Sequence, residues 1–301
     1  MNLTLRQLEI LVAAADAKTF SAAAAAIGIS QPSLSESIRR IEHELGISLF
    51  ERTTRSLKLT EAGARATGIA RELVQDFRRA MEQLATGMSQ GRIAIAALPS
   101  IACAVMPQAL TQFASIHPGV TVELHDVQHE RAIALLRDGF ADIAVTLKPA
   151  PDKDLQFDDV AFDTAHLVCR RDHPLAKKKT VRWRDLAGQP FIGITRISSV
   201  RRLTDAAFAQ DGTPVLPRFE VEQVPSAIAL VEAGLGVTAL PSLTFAMFRG
   251  RGLSMRPLGD PVMRRHVGFV TRTRRVLPGF AADLRRLIGA EIEGQLKVSS
   301  H

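Results

Sequence analysis

The stretch SQPSLSESIRR, residues 30–40, places hydroxyl, amide and guanidinium groups at the start of a predicted helix. Side chains of these types bind DNA, because amides and hydroxyls pair with base edges and arginines bind phosphates. Ser30 is a good N-cap, and Pro32 falls in the first turn, where its missing N–H removes no hydrogen bond. The stretch predicts either an ordinary capped helix or a helix whose exposed end reads nucleic acid.

Two further helices precede this stretch. A capping-box sequence at 4–7 begins an amphipathic helix, and an alanine-rich helix over 21–27 ends at Gly28. Apolar residues at helical spacing within 34–45 let the third helix pack on the first two. Two helices joined by a tight glycine turn predict a helix-turn-helix, in which the start of the second helix enters the major groove. Two short strands of a hairpin are predicted on either side of a turn at 53–55.

A longer helix is predicted over about 60–86. Small and apolar residues recur along it at spacings of four and three, namely Ala66, Ala70, Leu73, Phe77, Ala80 and Leu84. Such a narrow heptad seam needs a partner helix, and the simplest partner is the same helix of a second chain. Packing onto its own domain is the alternative. The sequence GMSQG at 87–91 predicts a hinge.

Strand and helix patterns alternate from residue 92 onward. The predicted strands are 92–98, 120–126, 142–145, 166–170, 191–194, 217–222, 237–240 and 266–271. The predicted helices are 103–115, 130–138, 199–210, 226–233 and 279–290. Alternation of this kind indicates parallel βαβ units and an open α/β sheet, whose ligands bind beyond the carboxyl ends of the strands.

The composition is that of a globular protein with two or more domains: 301 residues, 46% hydrophobic and 23% charged. The formal charge is +7. Residues 1–91 carry 11 Lys and Arg against 10 Asp and Glu, whereas residues 92–301 carry 27 against 21. Because most of the excess lies outside the predicted helix-turn-helix, net charge does not decide for DNA binding.

The two cysteines, Cys103 and Cys169, are far apart and lie in apolar runs, so they predict buried side chains in a reducing compartment. We expect no metal and no cofactor. The first 20 residues lack the unbroken apolar core of a signal peptide, and no apolar run approaches the ~18 residues of a membrane span. A cytoplasmic protein with no membrane partner is expected.

One family accounts for these motifs together. The stretch FSAAAAAIGISQPSLSESIRRIEHELGISLFERTTRSLKLTEAG, residues 20–63, closely resembles the winged helix-turn-helix of LysR-type transcriptional regulators. The resemblance continues in the family's order through HPG at 117–119, GxxDIA at 139–144, HPLA at 173–176 and LVEAGLGVTALPS at 230–242. It covers nearly the full length of the chain.

The resemblance implies the fold. We expect an α/β protein with an N-terminal winged helix-turn-helix and a long linker helix, followed by two α/β subdomains that resemble periplasmic binding proteins. The predicted boundaries are 1–60 for the DNA-binding domain, 61–91 for the linker (dimerisation) helix and hinge, and 92–301 for the effector-binding domain. Within the last, subdomain I covers about 92–161 and 267–301, and subdomain II about 162–266.

The resemblance also implies the function, which is that of a sequence-specific DNA-binding transcriptional regulator controlled by a small-molecule effector bound between the two subdomains. The implied partners are double-stranded DNA carrying a promoter inverted repeat, the effector, RNA polymerase, and copies of the same chain in a homodimer or homotetramer. A regulator without a ligand response is the first alternative. The second is a thiol redox sensor of the same family, which the distance between the cysteines disfavours. No enzyme is expected, because no GxSxG, HExxH, Walker or GxGxxG motif occurs.

The DNA contacts follow from the family pattern and the residue chemistry. They are Gln31, Pro32 and Ser33 toward bases, Ser35 and Arg39 toward phosphates, and the wing residues Arg52 and Arg55 toward the minor groove. Glu36 departs from the family pattern, which more often has a basic or amide residue there. Its carboxylate either accepts from a cytosine amine or pairs with Arg39 or Arg40.

The effector contacts are predicted at strand ends and helix starts, because a helix N-terminus offers unpaired N–H donors to an anionic group. The first group is Ser100, Thr195, Ser198 and Ser199, for each of which a plain N-cap is the alternative. Further lining residues are Ile101, Gln128, Thr146, Val224 and Pro225. A small polar or carboxylated metabolite is favoured, since the loop at 195–200 has no aromatic residue.

Overall fold

The structure is a computed structural model. It describes residues 3–17, 19–51, 57–86, 91–213, 215–273 and 275–299, with the backbone alone at 79–80, 82–86 and 298–299. The chain forms two compact units. The first comprises Met1–Arg92 with Arg137–Phe140, and the second comprises Ile93–Leu136 with Ala141–His301. The domain boundaries given above stay predictions.

Four helices build the first unit: α1 (Leu5–Asp16), α2 (Phe20–Ala26), α3 (Gln31–Leu45) and α4 (Glu61–Thr86). The predicted capping box is confirmed, since the Thr4 side chain accepts from the Gln7 N–H and the Gln7 side chain accepts from the Thr4 N–H. Ser30 caps α3 by accepting from the Ser33 N–H. Gly28 takes a positive φ of 70° at the turn between α2 and α3, a conformation that favours glycine.

The core of this unit explains the alanine-rich α2. Ala23 and Ala24 are 0% and 2% exposed, so the helix packs closely on its neighbours. Leu11, Leu34 and Ile41 fill the space between the helices and are buried in the same cluster. An antiparallel bridge joins Phe50 to Leu59, and residues 52–56 of the predicted hairpin lie outside the described residues.

The helix α4 packs on its own unit along a face that shares only part of the predicted seam. Its buried positions Thr67, Ala70, Arg71 and Val74 follow the spacing of an ordinary amphipathic helix. Of the described seam positions, Ala66 and Ala70 join the core. By contrast, the large seam residues Leu73 and Phe77 are exposed, as are their helix neighbours Ile69 and Met81. The side chains of Ala80 and Leu84 and most of the predicted hinge, 87–90, lie outside the described residues.

The second unit contains ten strands and six α-helices among its described residues. The strands are β1 (Arg92–Ala97), β2 (Thr121–Asp126), β3 (Ile143–Leu147), β4 (Leu155–Arg170), β5 (Val181–Arg182), β6 (Ile192–Ile194), β7 (Phe219–Val221), β8 (Thr238–Pro241), β9 (Leu253–Gly259) and β10 (Arg264–Arg272). The helices are α5 (Pro99–Ala104), α6 (Met106–Ile116), α7 (His129–Arg137), α8 (Ser199–Asp211), α9 (Val224–Glu232) and α10 (Ala281–Ser299).

The main sheet has the order β2-β1-β3-β10-β4-β9-β5, with β8 paired to β4, and β6 and β7 form a second sheet. The expected parallel pairing holds for β1 with β3, β6 with β7 and β5 with β9. The sheet also contains antiparallel pairs, which the alternation of strands and helices did not predict. The strand β4 is antiparallel to β8, β9 and β10, and β10 is also antiparallel to β3.

Part of β4 was not predicted as a strand, which explains why the antiparallel pairing was missed. Residues 155–165 contain three aspartates and no continuous apolar run, so neither alternation nor hydropathy predicts a strand there. Its pairing with β10 joins residues about a hundred positions apart, such as Asp163 and Arg265. A buried ion pair connects these two side chains, with 2.7 Å between Arg265 Nη2 and Asp163 Oδ2. Ser242 donates to the same carboxylate at 2.6 Å.

The buried apolar residues described in the second unit form four clusters. One includes Ile95, Phe113 and Ile288, from β1, α6 and α10. Another surrounds the fully buried Trp183 with Phe208 of α8 and other apolar residues. The second unit is therefore an α/β domain with several buried clusters. Among the helices that the structure describes, none has the length and hydropathy needed to cross a bilayer.

Candidate functional site

The N-terminal end of α3 presents polar groups to solvent. Gln31, Pro32 and Ser33 are exposed, whereas Leu34 is buried in the core and Ser35 is half-buried. The hydrophobic stripe fixes the helix on its unit and turns the opposite face outward. The predicted base-reading residues thus form one exposed helix end.

The hydroxyls of this helix end are organised by the helix itself. Ser30 Oγ and Ser33 Oγ are 2.8 Å apart, and the Ser37 hydroxyl donates to the Ser33 carbonyl at 2.9 Å. Within the described part of the chain, the Gln31 amide makes no hydrogen bond, so both its donor and its acceptor are available.

Glu36 forms the intrahelical pair that was one of its two predicted alternatives. Arg40 Nε lies 3.2 Å from Glu36 Oε1, at the favourable i,i+4 spacing. Arg39 is exposed and has no ion-pair partner among the described side chains. The carboxylate therefore offsets the charge of Arg40 and leaves Arg39 available to a phosphate. The predicted wing contacts, Arg52 and Arg55, lie outside the described residues.

In the second unit, the carboxyl ends of β1 and β3 bring several predicted effector contacts to one edge. The parallel register pairs Ala97 with Val145, and the Leu98 N–H donates to the Val145 carbonyl at 3.2 Å. Ser100 and Thr146 closely follow these positions. The Val127 N–H donates to the Ala97 carbonyl, which brings Gln128 to the same edge. Ile101, by contrast, is 0% exposed in the core, and its N–H donates to the Leu98 carbonyl.

His129 also belongs to this edge, although sequence reasoning missed it. His129 Nδ1 is 2.9 Å from the hydroxyl of Thr146, which is itself fully buried. Burial lowers the pKa of His129, the charge of Arg202 lowers it further, and Glu130 opposes the shift. The imidazole is therefore neutral at pH 7. Its position next to Gln128, directly after a strand end, was the available signal.

A second group of predicted contacts follows β6 and β7. Ile194 pairs with Val221 in parallel register, and the Thr195 N–H donates to the Val221 carbonyl at 2.9 Å. This edge carries the loop 195–199 and the start of α9, where Val224 is half-buried and Pro225 exposed. As at β1 and β3, the carboxyl ends of parallel strands present helix starts to a ligand.

The serines at these helix starts differ in whether the hydroxyl caps the helix or has no hydrogen-bond partner among the described residues. The Ser198 side chain accepts from the Val200 N–H, so the N-cap alternative describes its present contact. Ser100 and Ser199 are each 7% exposed, and neither hydroxyl has a hydrogen-bond partner in the described structure. Neither hydroxyl oxygen is among the fully buried, unbonded polar atoms of the described residues, so each is open to water or to a polar ligand.

The two edges are connected by an ion pair. Arg202 of α8 lies 2.7 Å from Glu130 of α7, measured between Nη2 and Oε1. Neither residue was predicted as part of a site, because half-exposed charges on helices are common. The name effector crevice is used below for the predicted effector contacts at the two edges, namely Ser100, Gln128, Thr146, the loop 195–199 and the start of α9.

Thiol chemistry is not favoured by the cysteines. Cys169 is buried in an apolar cluster, and burial raises the pKa of its thiol to about 11, so very little thiolate forms at neutral pH. The prediction that Cys103 is also buried is wrong, because the short helix α5 turns this residue to the surface while Ile101 and Ala104 face the core. The structure brings no pair of thiols together among the residues it describes.

Comparison with known families settles which proteins this chain resembles. Residues 5–64 match the family "Bacterial regulatory helix-turn-helix protein, lysR family", and residues 86–293 match "LysR substrate binding domain". The chain belongs to the LysR family. This LysR-family protein is thus a DNA-binding transcriptional regulator with an effector-binding domain, and it is not an enzyme.

Individual relatives match over nearly the whole length. The uncharacterized HTH-type transcriptional regulator YbhD of Escherichia coli K12 is 30% identical over 279 residues, covering 92% of this chain and 88% of YbhD. A hydrogen peroxide-inducible genes activator of Pectobacterium carotovorum is 28% identical, covering 99% and 100%. The structure of a full-length OxyR variant from Pseudomonas aeruginosa matches with a TM-score of 0.67 at 21% identity, covering 97% and 95%, which supports the fold.

Proposed function

We propose that this LysR-family regulator reads a promoter inverted repeat through the exposed end of α3. Gln31, Pro32 and Ser33 contact bases in this proposal, and Ser35 and Arg39 contact phosphates. The observation that carries it is the Gln31 amide, exposed at the helix start with neither donor nor acceptor used. Arg52 and Arg55 complete the interface from the wing.

Selection from a random duplex library by the full-length protein tests this proposal. The expected result is enrichment of an interrupted inverted repeat, since two copies of α3 related by a twofold axis read two half-sites. Enrichment of no motif, or of a single undivided site, contradicts the proposal. The same regulator acts in the cytoplasm on RNA polymerase at the selected promoters, which transcription in vitro from a selected site tests.

The second copy is proposed to bind through the exposed apolar face of α4. Leu73, Phe77 and Met81 are each at least 43% exposed, and apolar side chains of this size at helical spacing favour a partner helix. Substituting Phe77→Glu is expected to shift light-scattering mass toward the monomer, whereas the exposed control Phe162→Glu in the other unit leaves the mass unchanged. Equal masses for both variants contradict this assignment.

The effector is proposed to bind in the effector crevice as a small polar or carboxylated metabolite. Ser100 and Ser199 support this proposal, because neither hydroxyl makes a hydrogen bond within the described residues and each is accessible to a polar ligand. Gln128, Thr146, Thr195, Ser198, Val224 and Pro225 line the same crevice, and Ile101 supports it from the core. A thermal-shift screen of metabolites tests it, since a ligand of the native state raises the unfolding midpoint. Hits that shift the wild type and Ser199→Ala equally contradict the assignment.

A further inference from the structure

The ion pair between Glu130 and Arg202 spans the effector crevice. Glu130 is the second residue of α7, at the edge formed by β1 and β3, whereas Arg202 is in the first turn and a half of α8, which follows β6. The two charged groups meet at 2.7 Å. The pair therefore connects the elements that carry the two groups of predicted effector contacts.

Both charges lie beside those contacts. The residue before Glu130 is His129, which bonds Thr146. On the other side, Arg202 Nη1 is 3.5 Å from the carbonyl of Ile197, within the loop 195–199. The guanidinium is thus held between the start of α7 and the loop that presents the unpartnered hydroxyl of Ser199.

The exposure of the pair makes it exchangeable. The side chains of Arg202 and Glu130 are 50% and 58% exposed, and ion pairs at such exposure are weak. An arginine fork binds one carboxylate well, through two parallel hydrogen bonds. A small carboxylate can also bind the Ser199 hydroxyl and the N–H groups at the start of α8. It therefore gains more hydrogen bonds than are lost when Glu130 is displaced.

We propose that Arg202 selects a carboxylate effector in the effector crevice, and that Glu130 is the internal carboxylate which the effector displaces. This inference rests on the proposed effector crevice. Before the effector binds, the pair links α7 to α8. The effector takes Arg202 from Glu130, so the connection between the two edges passes through the ligand. Binding thereby changes which groups link the two edges. A ligand shifts a conformational equilibrium only if its contacts differ between the two states, and this exchange provides such a difference.

Paired probes on the full-length protein test this exchange. Acetate, succinate and benzoate are titrated up to about 10 mM beside their neutral amides, acetamide, succinamide and benzamide, and the unfolding midpoint gives the apparent affinity. The proteins are the wild type, Glu130→Gln, Arg202→Gln and the control Glu232→Gln. Glu232 is a matched control because it pairs with Arg251 at 3.0 Å on the surface, away from α7 and α8.

The carboxylates that bind are expected to bind Glu130→Gln about twofold to fivefold more tightly than the wild type, because the internal competitor is gone. Their affinity for Arg202→Gln falls at least about tenfold, the usual loss of a charge-assisted hydrogen bond. The amides and the control variant show neither effect.

Any of the following results overturns the proposal. One is equal carboxylate affinity for Glu130→Gln and the wild type. Another is the same loss for acid and amide in Arg202→Gln. The last is that no acid gives a saturable shift with either the wild type or Glu130→Gln. Failure of the effector crevice is distinguishable: if Ser199→Ala weakens a ligand and Arg202→Gln does not, the crevice stands and the role of Arg202 falls. DNA selection, which needs no probe, reports separately on the regulator itself.

Discussion

Helices α3 and α8 both begin with a serine N-cap, Ser30 and Ser198, yet the residues that follow meet different surroundings. At α3, Ser33 is exposed and its hydroxyl is already bonded to Ser30. At α8, Ser199 is buried and its hydroxyl has no partner in the described structure. An exposed, polar helix end fits a large partner such as DNA, whose groove surrounds it. A buried serine with an unpaired hydroxyl fits a small ligand that brings the missing partner.

Charge shows the same contrast. At α3 the pair of Glu36 and Arg40 lies within one helix turn, so it affects which charged side chains of this helix are available to DNA. At α8 the pair of Arg202 and Glu130 joins two elements distant in sequence, so it connects two edges of the effector crevice. The local pair acts within the proposed DNA-reading surface, whereas the distant pair links the two sides of the proposed effector site.

The largest expected effect is on the DNA affinity that α3 provides. Replacing Gln31→Ala removes a side chain able to bond adenine through two hydrogen bonds, so specific operator affinity falls by about 1–3 kcal/mol, or about fivefold to 150-fold. Affinity for a scrambled duplex stays nearly constant. Gel-shift titration of both duplexes measures this, with Gln112→Ala on the exposed surface of α6 as the matched control. Equal loss on both duplexes removes Gln31 from the base-reading residues.

On the crevice side, His129 makes stability depend on pH. Its folded pKa is lowered from 6.5, so the unfolded chain binds the proton more readily. Stability from this group is present above about pH 6.5 and is lost as pH falls toward the folded pKa. The slope is at most about 1.4 kcal/mol per pH unit for this imidazole. Urea unfolding between pH 7 and pH 5 measures it, and His129→Asn is expected to flatten the profile. An unchanged slope in that variant contradicts the assignment.

Replacing Ser30 and Ser199 by alanine compares what each hydroxyl contributes to stability. Ser30→Ala removes a cap and is expected to cost about 1 kcal/mol of unfolding free energy. Ser199→Ala removes a hydroxyl that lacks a partner, so the ligand-free protein stays equally stable or gains stability. Urea unfolding of both variants gives the difference. If Ser199→Ala costs as much as Ser30→Ala, the Ser199 hydroxyl already has a structural partner.

The smallest effect concerns Glu36. Glu36→Gln removes an exposed i,i+4 pair worth about 0.3–0.5 kcal/mol, so stability changes little. Arg40 is then released, and the preferred operator sequence is expected to change while overall DNA affinity rises. Duplex selection with this variant measures the change. An unaltered motif shows that the carboxylate has no part in sequence reading.

The first unit was predictable almost element by element because its signals are local. A capping box at 4–7, Ser30 at an N-cap and Gly28 at a turn each act within a few residues, and the helices begin and end close to where these residues predict. The face of α4 was harder. Whether Leu73 packs inward depends on the position of α1, and the spacing of residues along α4 gives no information about that position.

The second unit was less predictable because long-range pairing builds it. Nothing near Asp163 indicates that its partner is Arg265, a hundred positions away, and so the antiparallel part of the sheet was missed. In the effector crevice, helix starts identified Ser100 and Ser199, but only the hydrogen bonds of the folded chain separate their free hydroxyls from the capping Ser198. Charged residues on helix surfaces, such as Arg202, are usually solvated, and no local pattern distinguishes this one.

A crystal structure of the full-length protein on its selected operator tests directly whether α3 reads DNA. We expect α3 in the major groove, with Gln31 hydrogen-bonded to a base edge, Arg39 on a phosphate and Arg40 still paired with Glu36. A complex in which the start of α3 lies outside the major groove, or in which Gln31 faces solvent, contradicts it.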